Sequence, residues 1–71
     1  MGAKVEFFFH NRDRGLVAYF TDVSVDTMNL TWNEAVRKGA EVLNLTDKNG
    51  SRLAIHVKRV EMVVCVPWNG V

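Results

Sequence analysis

The sequence predicts an α+β domain: a curved, mostly antiparallel five-stranded sheet in the order β-β-α-β-β-β with one short helix, a small open β-barrel being the alternative. Three observations carry this reading. Residues 4–10 and 51–57 alternate apolar and polar types with the period of a strand. Asp47-Lys48-Asn49-Gly50 separates two such apolar runs, and Asn-Gly in that position is a strong hairpin signal. Thr31 followed by Glu34 has the spacing of a capping box and opens the one stretch with helical periodicity.

Along the chain, Val5, Phe7 and Phe9 share one face of the first strand, and Lys4, Glu6, Phe8 and His10 share the other. Asn11-Arg12-Asp13-Arg14-Gly15 supplies turn chemistry, so residues 16–25, rich in β-branched and aromatic types, return as the second strand of a hairpin. That strand is apolar on both sides, which predicts cover on both faces. A helix over 32–38 follows, with Trp32, Ala35 and Val36 on one stripe, Glu34 paired with Lys38, and Gly39 at the left-handed exit. Residues 41–46 and 51–57 form the second hairpin. Its alternation, extended past Lys58, would bury Arg59 and Glu61, so the phase resets near Lys58-Arg59 through a turn, bulge or 3₁₀ step. A final strand spans roughly 61–66 and ends at Pro67.

The 71 residues form one domain, 1–71, because no linker, repeat or low-complexity stretch divides them. At 8.1 kDa, area scaling gives about 11,700 Å² unfolded and about 4,500 Å² folded. If roughly 60% of the difference is apolar, its burial contributes about 108 kcal/mol at ~25 cal/mol/Å². Ordering the chain costs about 107 kcal/mol at ~1.5 kcal/mol per residue. An isolated monomer is therefore marginal. A lone cysteine, Cys65, offers no internal disulfide, and His10, His56 and Cys65 lack zinc-site spacing, so neither a metal nor another cofactor is expected. Self-association supplies the missing burial. Phe8, Val17, Tyr19 and Val63 lie on strand faces opposite the expected core and are the candidate subunit contacts, a symmetric homodimer being the default.

Net charge is +1 and unevenly spread: three basic and five acidic residues leave residues 1–35 at −2, and six basic against three acidic leave residues 36–71 at +3. Arg37, Lys38, Arg52, His56, Lys58 and Arg59 are thus candidate contacts for an anionic ligand, with Trp32 and Trp68 as rings on which a base would stack. The sequence pI of 7.9 falls short of the value above about 9 typical of nucleic-acid-binding domains, so nucleic acid is not the favoured partner. Cys65 sits in Val63-Val64-Cys65-Val66, apolar surroundings that oppose a reactive thiolate, and no phosphate-binding glycine loop is present. No catalytic residue is nominated.

The leading functional reading is a small non-enzymatic binding module that forms homo-oligomers and engages another protein, in the manner of an adaptor or inhibitor of the kind phages and mobile elements encode. The alternative is a binder or sponge for an anionic small molecule such as a nucleotide, or for single-stranded nucleic acid. An enzyme using His56 or Cys65 ranks last. Met1-Gly2-Ala3-Lys4 opens no apolar signal region and no run approaches a membrane span, so a cytoplasmic protein with no membrane partner is expected.

Overall fold

In the computed structural model, which describes residues 2–69, β1 (Gly2–Phe9) is the central strand of a three-stranded antiparallel sheet. Met1, Gly70 and Val71, the ends of the expected 1–71 domain, lie outside the described residues. β2 (Leu16–Phe20) pairs along one edge of β1, with Ala3 opposite Phe20 and Phe7 opposite Leu16. β5 (Val60–Trp68) pairs along the other, with Gly2 opposite Trp68 and Phe8 opposite Met62. β3 (Val42–Thr46) and β4 (Arg52–His56) form a separate antiparallel hairpin. The class is α+β with the element order read from the sequence. The five strands are divided between two open sheets, and no barrel closes.

One face of β1 makes the core. Ala3, Val5 and Phe7 are fully buried, joined by Ala18 and Phe20 of β2. The helix α1 (Val25–Arg37) adds Met28, and the hairpin adds Ile55 with Leu43, Leu45 and Leu53 packed around it. Helix and hairpin therefore cover the same inner face of the three-stranded sheet. Trp32 of α1 packs on Phe7, ring centroids 5.9 Å apart and tilted by 60°. The hairpin tip is tied to β2 by the Lys48 N–H donating to the Tyr19 carbonyl at 2.7 Å.

The helix starts seven residues earlier than the expected 32–38. Ser24, in extended conformation, is its N-cap and accepts from the Thr27 N–H at 3.1 Å. Thr31 is inside the helix, where its hydroxyl donates to the Thr27 carbonyl, and Glu34 pairs with Arg37 and not with Lys38. The reason is tertiary. Val25, Met28, Trp32 and Ala35 fall on one helical stripe, the first three packed into the core and Ala35 buried, and that burial outweighs the modest helix propensity of Val25-Asp26-Thr27. Val36 leaves the expected stripe and is 52% exposed. The helix ends as expected: Gly39 has φ +70°, its N–H donates to Val36, and the Ala40 N–H donates to Ala35, a Schellman exit.

The second strand stops at Phe20, short of the expected 25, because Asp22 turns the chain in the left-handed region (φ 59°). Val23 and Val25 reach the core from the loop and the helix. In the second hairpin, the Asp47 carboxylate accepts from the Asn49 and Ser51 N–H groups, both at 2.9 Å, and Gly50 takes φ +81°. Aspartate side-chain bonding and a left-handed glycine together close the turn.

The expected phase reset occurs twice. A 3₁₀ turn, Val57–Arg59, buries Val57 and sends Lys58 and Arg59 outward. A β-bulge follows: Phe9 pairs with Val60 and Phe8 with Met62, so Glu61 is the extra residue. The strand also runs on through Pro67, opposite Ala3, to Trp68. An edge strand tolerates the missing proline N–H.

Candidate functional site

The outer face of the three-stranded sheet is the first candidate surface. Strand alternation sends Lys4, Glu6 and Phe8 to the side opposite the core. Register then sets Tyr19 and Val66 on either side of Lys4, and Val17 and Val64 on either side of Glu6. The result is a charged pair, Lys4 and Glu6, on the central strand with apolar flanks. Val17, Val64 and Val66 are about two-fifths exposed and Met62 is 51% exposed. Lys4, Glu6, Val64 and Val66 frame a depression of about 190 Å³. At one end of this face Trp68 packs tilted against Tyr19, and the Lys48 ammonium lies 5.3 Å from the Trp68 ring centroid.

Of the expected contacts, Phe8, Val17 and Tyr19 lie on this face. Val63 does not: it faces inward opposite Phe7 and packs against the core. The bulge at Glu61 is the cause, because one extra residue exchanges the two faces of everything after it. Met62, Val64 and Val66 take the outer positions instead. The bulge has no sequence signature beyond Glu61 itself, a charge among apolar neighbours.

The basic and aromatic candidates are dispersed over five regions. Arg37 is held by Glu34 at the helix end, beside the C-cap Lys38. Arg52 stands on the outward face of the hairpin opposite Thr46. Trp68 belongs to the outer sheet face. Trp32 and Lys58 meet in a groove of about 370 Å³, walled by Val36, Val57, Val60 and Val63 and bearing Glu61 as well. One cation and one carboxylate in an apolar groove give no net attraction for an anion.

His56 and Arg59 are brought together in a second cleft, of about 270 Å³, and are joined there by His10, Arg12 and Phe9. The His10 N–H donates to the Arg59 carbonyl at 3.0 Å and so clamps the end of β1 to the 3₁₀ turn. Asn11, at φ 64°, turns the chain directly before Arg12. The Arg12 guanidinium lies 5.9 Å from the Phe9 ring centroid, an attractive cation–π distance. His10 and Arg12 belong to a turn that reads as ordinary loop chemistry, so no pattern in the sequence marks them as partners of His56 and Arg59.

Cys65 is half-buried on the inner face opposite Val5, and burial pushes its thiol up from the ordinary value. That is the direction opposed to a thiolate nucleophile. Among the described residues, no group of three His, Cys, Asp or Glu side chains is placed to hold a metal ion, and no helix is long and apolar enough to cross a membrane. Comparison with protein-family models and with curated proteins finds no match to this chain.

Proposed function

We propose that this protein is a small, non-enzymatic binding module of the cytoplasm that acts as a homodimer, with the outer face of the three-stranded sheet as its subunit contact. The observation that carries the reading is the uncovered apolar face itself: helix and hairpin both lie on the other side of the sheet. Accessible surface is 5156 Å², above the about 4,500 Å² expected of a compact chain of this mass, so burial remains to be gained.

The second copy is the fitting occupant because the face is self-complementary. Lys4 and Glu6 sit two residues apart on the central strand, about 7 Å along it. A two-fold axis between them sets Lys4 of each copy against Glu6 of the other, while Val17, Met62, Val64 and Val66 pack around the pair. The contact is small, three strands wide at about 4.8 Å spacing, which favours a concentration-dependent dimer over an obligate one. A dimer leaves the helix and hairpin surfaces of both copies open for a protein partner, the geometry of an adaptor or inhibitor.

Sedimentation velocity across the micromolar range tests this. A monomer–dimer equilibrium is expected. Val64→Glu abolishes it with an unchanged circular dichroism spectrum, and Arg52→Ala leaves it intact. Lys4→Glu and Glu6→Lys each weaken the dimer by placing like charges together, and the double swap restores it. A folded wild-type chain that stays monomeric throughout, or a double swap no better than the single changes, overturns the reading.

A further inference from the structure

We infer that the cleft between the β1–β2 turn, β4 and the 3₁₀ turn binds a small phosphate monoester. Four basic side chains from three segments converge on it: His10 and Arg12 from the turn, His56 from the end of β4, and Arg59 from the 3₁₀ turn. Among the described residues, no carboxylate lines the cleft. Glu61, with its oxygen 3.7 Å from His10 Nδ1, stands beside it and offsets part of the field at that end. The positive charge offered to an anion is therefore that of Arg12 and Arg59, with His56 as a hydrogen-bonding neighbour. In a chain whose net charge is only +1, this is a local concentration of positive charge and not a general property of the surface.

The ligand class follows from the two kinds of wall. Two guanidinium groups present paired N–H donors that match the oxygens of phosphate, and imidazole adds a further donor. Leu16, Ala54 and Ile55 supply an apolar wall, and Phe9 supplies a ring. At about 270 Å³ the cleft has space beyond what an inorganic anion fills, and Phe9, Leu16, Ala54 and Ile55 line it beside the basic groups. An organic phosphate uses both walls: its phosphoryl group meets Arg12 and Arg59, and its apolar part lies on Leu16 and Ala54. The site stands apart from the outer sheet face, so it does not depend on dimerisation.

The experiment is an amide-resolved NMR titration of the full chain with three probes: phenyl phosphate, inorganic phosphate and phenol. Phenyl phosphate is expected to give saturable shifts at Phe9, His10, Arg12, His56 and Arg59, with affinity about tenfold above inorganic phosphate and falling as salt rises. Arg12→Ala and Arg59→Ala each lose about tenfold in affinity. Both side chains are exposed, so the variants keep the wild-type spectrum elsewhere. Arg52→Ala, outside the cleft, changes nothing. Absence of saturable shifts at these residues, unchanged affinity in both arginine variants, or equal binding of phenyl phosphate and inorganic phosphate overturns the inference.

Discussion

Tyr19 and Trp68 pack against each other across the outer face of the sheet, ring centroids 5.0 Å apart and tilted by 52°, although their strands do not pair with each other. Both strands flank β1, where Tyr19 lies opposite Lys4 and Trp68 opposite Gly2. The rings bridge the central strand diagonally, and Lys48 from the hairpin turn closes over Trp68. One aromatic pair thus joins both edges of the sheet to the tip of the second hairpin.

This pair should be energetically coupled. In urea denaturation at concentrations where the chain is monomeric, a double-mutant cycle of Tyr19→Ala and Trp68→Ala is expected to give a coupling of about 1 kcal/mol. Additive effects of the two substitutions would show that the rings merely share a face.

The true start of the helix is open to a similar test. Ser24→Ala removes the hydroxyl oxygen that accepts from the Thr27 N–H and should cost about 1 kcal/mol. Thr31→Ala, at the position that reads as a cap in the sequence, should change stability by less than about 0.5 kcal/mol. Thermal or urea unfolding of the two variants compares them directly, and a larger loss for Thr31→Ala would contradict a helix that begins at Val25.

Cys65 gives a prediction in pH. Burial raises its thiol in the folded chain above the ordinary value, so the fold favours the neutral form. The contribution to stability is complete below that ordinary value. It is lost as pH rises through the raised one, because the unfolded chain ionises first. Unfolding free energy measured from neutral to alkaline pH should therefore decline more in the wild-type chain than in Cys65→Ala. Alkylation of the folded thiol at neutral pH should also be slower than in the denatured chain. Parallel pH profiles for the two proteins would show that burial does not govern the thiol.

Much of the architecture was legible in local pattern because local pattern caused it. Val5 and Phe7 alternate with Lys4 and Glu6, Leu53 and Ile55 alternate with Arg52, Ala54 and His56, and all four apolar residues do face the core, since a pleated strand leaves no other choice once one face is buried. Gly39 and Gly50 mark a helix exit and a turn because both positions take φ angles that other residues resist. The helix start was not legible: the Thr31–Glu34 spacing favours the later start, and only the packing of Val25 and Met28 into the core selects Ser24. For the candidate cleft, His56 and Arg59 were among the six basic candidates marked by the charge of residues 36–71. His10 and Arg12 joined them only because β1 pairs with β5, a contact between segments some fifty residues apart.

By itself, then, the sequence determined the α+β class, the order of the elements and the two hairpins. Tertiary structure decided which face of the last strand is inside. Alternation specifies that a strand has two faces but not which one meets the core, and a single extra residue at Glu61 exchanges them. That bulge turned Val63 inward and Met62, Val64 and Val66 outward, and so composed the outer sheet face. The physical reason is that strand register depends on long-range pairing, here Phe8 with Met62 and Phe9 with Val60, which no short window of sequence contains.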